Sequence, residues 1–203
     1  MKFFEYGERE LNHLKFVCDK MAVVIEKAGM LQRQVEPEIF KALISSIVSQ
    51  QISTKAAVTV FSRLEALVDE MTADEILALA DDEIKACGLS YRKVGYIKGI
   101  REAVRNGRLD LEDLSKMADD EVITTLIKLN GIGVWSAEML LLFSMQRPDI
   151  LSYGDLIIRK GIMKLYDLDK LSKRDFQKYK ELYSPHGSVA SLYLWDLANE
   201  GSV

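Results

Sequence analysis

The sequence predicts an all-α protein, and three observations predict it. Apolar residues recur at three- and four-residue intervals along most of the 203-residue chain. Capping residues and glycines punctuate those stretches at helix-like lengths. No run alternates apolar with polar residues between turn dipeptides, which is how hairpins announce themselves. The loops are short and there is neither a fixed-period repeat nor a low-complexity segment, so the expectation is a compact bundle of about ten short helices.

Taken in order, Pro37 opens a run in which Ile39, Phe40, Leu43, Ile44, Ile47 and Val48 fall at helical spacing. Ser53 suits the N-cap of the next helix, whose apolar side holds Ala57, Val60, Phe61, Leu64 and Leu67. Thr72 and Glu75 have capping-box spacing ahead of residues 76–79, and Asp81 suits the cap of a short helix ending at Gly88. Ser90 to Arg105 reads as a further helix closed by Gly107, and Asp119 as the cap of a segment holding Val122, Ile123, Leu126 and Ile127. Phe143 and Trp195 follow helical apolar spacing and read as core.

Composition narrows the chemistry. About half the residues are apolar, enough for a real core, and three prolines and twelve glycines exclude a fibrous or disordered chain. Two cysteines, Cys18 and Cys87, and two histidines, His13 and His186, are too few for a four-cysteine cluster or a protein-liganded transition metal. The apolar run Met139 to Phe143, which no other exceeds, is far short of a membrane span. The N-terminus, MKFFEYGEREL, is broken by acids where an export signal needs an apolar stretch, so a cytoplasmic protein is expected. Twenty-seven basic against 31 acidic residues leave a formal charge of −4, which argues mildly against a generic polyanion binder while allowing a local basic strip.

The informative stretch is 126–165. A helix stops at Asn130-Gly131-Ile132-Gly133 and restarts at once into Trp135 and the apolar run after it. Two glycines let the backbone approach another surface, and the second helix presents unpaired N–H groups and its positive dipole end, a phosphate site built from backbone. Alone, the same residues are equally an αα turn. About twenty residues on, Asp155 follows Ser152, Tyr153 and Gly154 directly before an apolar-basic helix, where an isolated aspartate reads first as an N-cap.

Together, hairpin and aspartate resemble the helix-hairpin-helix, Gly/Pro–Asp superfamily of DNA base-excision glycosylases, with the 3-methyladenine DNA glycosylase II branch most similar. Residues 46–53, 88–93 and 133–138 match family blocks in the family's order, and residues 184–188 extend the match more weakly. The resemblance implies that Asp155 is the essential aspartate. It implies that Gly131 and Gly133 face a DNA phosphate, and that Gln51 plugs the gap left by a flipped nucleotide. Trp135 would line the base pocket. A monovalent cation would sit in the hairpin on the main-chain carbonyls of Ile127, Leu129 and Ile132, with no other cofactor. Bifunctional relatives carry a lysine at the Trp135 position, so its absence disfavours covalent lyase chemistry.

This chain departs from the pattern at two places: His186 stands where some relatives carry a stacking aromatic, and Met139 where they carry an aromatic pocket residue. The π faces of Trp135 and Tyr153, with a neutral His186, suit a cationic base. Between Ser90 and Arg108 lie Arg92, Lys93, Lys98, Arg101, Arg105 and Arg108, and a second strip holds Arg159, Lys160 and Lys164, whereas residues 69–83 are acidic. Arg105 and Arg108 read as solvated; Lys55, Arg92, Lys93 and Arg159, near the matched blocks, are the expected phosphate contacts.

The expectation is therefore a monofunctional glycosylase hydrolysing alkylated purines from double-stranded DNA, acting as a monomer away from membranes. The competing readings are a passive helix-hairpin-helix DNA-binding module and a glycosylase for oxidised or deaminated bases. The architecture expected is two helical lobes, 37–146 and 1–36 with 147–203, with an active-site cleft between them and Asp155 on the second.

Overall fold

The computed structural model describes residues 2–199. Among them lie β1 (Lys2–Phe3), α1 (Glu8–Val17), α2 (Asp19–Ala28), β2 (Gln34–Val35), α3 (Ile39–Ser49), α4 (Thr54–Glu65), α5 (Ala73–Ala78), α6 (Asp81–Ala86) and α7 (Tyr91–Arg105). They continue as α8 (Leu111–Lys116), α9 (Asp119–Leu126), α10 (Val134–Phe143), α11 (Leu156–Tyr166), α12 (Lys173–Tyr183) and α13 (Gly187–Asn199). The all-α class stands, with thirteen helices among the described residues. More breaks exist than glycine and proline mark. Cys18, at φ −152° and ψ 106°, ends α1 and caps α2 at once, its Sγ accepting from the Met21 N–H. The strand pair is antiparallel, Lys2 opposite Val35 and Phe3 opposite Gln34, too short to leave an alternation in the sequence.

Packing divides the chain into two units, the first made of the chain on either side of Glu36–Leu140 and the second of Glu36–Leu140 itself. The second division falls within α10 instead of after residue 146. The last turn of α10 belongs with α13, where Phe143 stacks on Trp195 with centroids 5.4 Å apart and planes at 22°. Of the expected second lobe, residues 1 and 200–203 lie outside the described residues.

In the first unit the core is α13, whose residues 187–194 are all buried. Gly161 lets α11 approach it: a Cβ there would lie 2.4 Å from the Leu194 carbonyl oxygen, so only hydrogen fits. Three tyrosine hydroxyls are paired: Tyr193 donates to the Gly29 carbonyl at 2.9 Å, and Tyr166 links Cys18 Sγ with the Tyr183 hydroxyl. Burial raises the pKa values of Tyr166, Tyr183 and Tyr193, so all three stay protonated near neutrality.

The second unit, Glu36–Leu140, buries Leu43, Ile44, Ile47 and Val48 of α3 and Val94, Ile97 and Ile100 of α7. Ser53 and Thr72 cap their helices as the sequence predicts, and Ser90, read as the first helical residue, is the cap of α7, each hydroxyl accepting a main-chain N–H. Asp81 and Asp119 do not cap. The caps are Ala80 and Ala118, whose N–H groups donate to the Glu83 and Glu121 carboxylates, and each aspartate moves to the first helical position. Two cations of the basic strip turn out to be structural: Arg101 is buried and donates to the Ile76 carbonyl at 2.7 Å, and Lys98 pairs with Asp81 at 2.9 Å.

Candidate functional site

The hairpin at 130–133 joins α9 to α10 as expected, and its two glycines do different things. Gly131 has φ +90°, and a Cβ on it would lie 2.4 Å from the Tyr96 ring and 2.9 Å from Ile47 Cδ1. It is therefore required by the packing beneath the turn. Gly133 is exposed with nothing within 4 Å of its Cβ position, so its outer side is open to a ligand. Its carbonyl accepts the Ala137 N–H at 3.0 Å, which makes it the entry to α10. Arg92 lies beside the same support, its Nε donating to the Tyr96 hydroxyl.

The three carbonyls named for a cation belong to this turn. The Leu129 oxygen accepts the Ile132 N–H at 3.1 Å and keeps a second lone pair. Three neutral main-chain oxygens suit a weakly held monovalent ion and not a divalent one, which takes carboxylates. Such an ion would hold the turn's carbonyls in register. Among the described residues no group of three or more His, Cys, Asp or Glu side chains is placed to hold a metal.

The turn between α3 and α4 presents Gln51, exposed and at φ +58°. Its neighbour Gln50 donates from Nε2 to the Gly131 carbonyl at 2.8 Å, tying the two turns together. Lys55 is exposed in the first turn of α4. Lys93 differs from the expected solvent-facing cation: its Nζ donates inward to the Val48 and Gln50 carbonyls at 2.8 and 2.6 Å. On α10, Trp135 and Met139 sit one turn apart; Trp135 is 46% exposed, too open for a core tryptophan.

Asp155 is the N-cap of α11 and 6% exposed. Its Oδ1 accepts the Ile157 and Ile158 N–H groups at 2.8 and 2.9 Å and the Trp195 indole N–H at 3.2 Å. The carboxylate is thus both a helix cap and a group fixed from a second helix. Tyr153 sits in the same turn, edge-on to Phe176 at 5.3 Å, with the Arg159 guanidinium over its ring at 5.0 Å. Tyr153, Asp155 and Arg159 are therefore brought together in the first unit, and Trp195 joins them.

Two sequence expectations are corrected here. Trp195 is half-buried and bonded to Asp155, not a plain core residue; the one available signal was that a buried indole N–H needs an acceptor. His186 does not join the aromatic group around Asp155. It precedes α13, whereas Trp195 is nine residues on, about 13 Å along a helix. Its ring is buried edge-on to His13 at 4.9 Å, and burial, reinforced by His13, lowers its pKa. The 184–188 block is a joint: Asp149 accepts from the Ser184 hydroxyl and the Gly187 N–H, and the Ser188 N–H donates to the Pro148 carbonyl.

Residues 44–185 match the family model of the HhH-GPD superfamily of base excision DNA repair proteins. A DNA-3-methyladenine glycosylase of Schizosaccharomyces pombe is 35% identical over 163 residues, covering 78% of this chain and 72% of the relative. A solved DNA-3-methyladenine glycosidase from Bacillus halodurans superposes with TM-score 0.87 at 34% identity, over 100% of this chain and 94% of that one. A structure of an S. pombe 3-methyladenine DNA glycosylase in complex with abasic DNA matches with TM-score 0.82 at 31% identity, over 93% and 95% of the two chains. With the hairpin and the capping aspartate in place and the family model covering most of its length, this chain belongs to the HhH-GPD superfamily of base excision DNA repair proteins.

Proposed function

We infer that the protein is a monofunctional DNA glycosylase that hydrolyses the N-glycosidic bond of alkylated purines, of the 3-methyladenine and 7-methylguanine type, after rotating the nucleotide out of the duplex. The observation that carries this reading is the Asp155 carboxylate, fixed by two main-chain N–H groups and one indole N–H. The names of relatives 31–35% identical over most of the chain support the substrate class.

A stacked base cannot be reached, so the nucleotide leaves the stack at a cost of a few kcal/mol. Gln51, exposed at the tip of its turn, fills the gap with hydrogen-bonding atoms. An N-alkylated purine is cationic and already a good leaving group, so little protonation of the base is required. As the bond lengthens, positive charge develops on the sugar, and a carboxylate whose position is fixed beforehand stabilises it without reorganising. The same group orients the attacking water. Trp135 offers a π face to the cationic base and no amine to attack the sugar, which leaves water as the nucleophile. The partner is double-stranded DNA with one damaged base, and a single copy of the chain supplies every residue named.

The test is release of 3-methyladenine or 7-methylguanine from duplex DNA by wild type and Asp155→Asn, scored as abasic sites. The variant is expected to be slower by about 100-fold or more. Equal rates in the two proteins, or release by neither, would overturn the reading.

A further inference from the structure

We propose that the turn carrying Gln51 is held in its projecting shape by two side-chain anchors, Lys93 and Gln50, and that Lys93 is a positioning residue for nucleotide flipping and not a phosphate contact. The proposal rests on the glycosylase reading and gives Lys93 and Gln50, both inside the matched blocks, a part that the resemblance does not assign to them.

Helix α3 ends at Ser49, where the last carbonyls of any helix lack partners. Lys93 reaches them from the first turn of α7, placing its ammonium on the Val48 and Gln50 carbonyls. A cation at a helix C-terminus is favoured by the dipole as well as by the hydrogen bonds. The ammonium is half-buried, and that burial lowers its pKa, whereas Lys55 on the adjacent helix stays exposed. Two of its three donors are already committed.

Gln50 is the second anchor. Its carbonyl is held by Lys93 while its side chain donates to the Gly131 carbonyl, so one residue is pinned at both ends. Immediately after it the chain enters the left-handed region at Gln51, which a non-glycine residue avoids unless its surroundings impose it. Two residues later Ser53 caps α4 through Ala56 N–H. Only Gln51 and Ile52, both exposed, stand between a pinned residue and a capped helix. A stiff plug loses little conformational entropy on entering the duplex, whereas a loose one loses all of it at that moment.

The experiment compares two duplexes carrying the same alkylpurine, one with the lesion normally paired and one with it opposite an abasic-site analogue, where flipping is cheap. For Lys93→Met the ratio of paired to unpaired kcat/KM is expected to fall about tenfold, and for Gln50→Leu by less. Combining Lys93→Met with Gln51→Ala should add little to the worse single variant, because the anchors act through the plug. The salt slope for binding an abasic-analogue duplex should match wild type, since losing a phosphate contact makes it shallower by about one.

A uniform loss on both duplexes with a shallower slope would make Lys93 a phosphate contact and overturn the proposal. So would an unchanged ratio. If Lys93→Met does not fold, Gln50→Leu decides by the same ratio. Fluorescence of 2-aminopurine opposite the lesion separates the two levels. Brightening by wild type without base release sinks only the glycosylase reading, and loss of that brightening in the anchor variants still supports the anchors.

Discussion

The turn at 130–133 and the turn at 152–155 are built in opposite ways. In the first, side chains support main chain: the Tyr96 ring and Ile47 pack where a Gly131 side chain would be, and the Gln50 amide holds the Gly131 carbonyl. In the second, main chain supports a side chain: the Ile157 and Ile158 N–H groups hold the Asp155 carboxylate, and one indole N–H reaches the same oxygen. On the proposed function the first turn offers backbone to a phosphate and the second offers a charge to a sugar. The difference teaches where damage will show. A side chain at Gly131 disturbs packing before recognition, and substitutions around the second turn disturb chemistry before packing.

The largest stability effect should come from Gly131→Ala. It forces an L side chain to φ +90° and into an aromatic ring, which together cost roughly 2–5 kcal/mol, measurable by denaturant unfolding. Gly133→Ala, with open space around it, should stay within about 0.5 kcal/mol of wild type and weaken DNA binding alone. Similar destabilisation by both would break the comparison.

Next is Trp195→Phe, which keeps a ring against Phe143 and removes the N–H given to Asp155. Base release should slow about tenfold or more, with little change in melting temperature. A lower melting temperature at an unchanged rate would return Trp195 to a purely packing role.

The smallest effect is on pH dependence. Burial, reinforced by His13, lowers the pKa of His186 from its ordinary 6.5, so the unfolded chain takes up that proton more readily than the folded one. Its contribution to stability is complete above that value and is lost as pH falls towards the folded pKa. Unfolding midpoints should therefore drop between about pH 7.5 and about pH 5.5, less so in His186→Phe. Identical slopes in the two proteins would remove His186 as the cause.

Much of the fold was legible because it is written locally. Ser53, Thr72 and Ser90 cap helices through contacts three residues away, and those are visible in any window of sequence. The same locality misled at Asp81 and Asp119. There a glutamate two residues further on reaches back to an alanine N–H, so the cap needs no side chain of its own. Asp155 was legible as a cap and, through the resemblance, as the candidate essential carboxylate. Trp195 was not, because its partner lies 40 residues away and helical spacing explains an apolar indole equally well. Lys93 looked like surface charge for a similar reason: its acceptors are carbonyls 43 and 45 residues distant, and carbonyls carry no sequence signature.

The contact at Gly161 works as a ruler. Gly161 lies less than two turns along α11 from Asp155, and the Leu194 carbonyl it touches belongs to the residue before Trp195. The two backbones that meet at Gly161 therefore also carry the partners of the 3.2 Å indole-to-carboxylate bond. One methyl group at 161 would push those backbones apart by about an ångström and carry the bond beyond hydrogen-bonding reach. The reaction could then be detuned from a position that meets neither sugar nor base, by altering nothing except how closely two helices are allowed to lie.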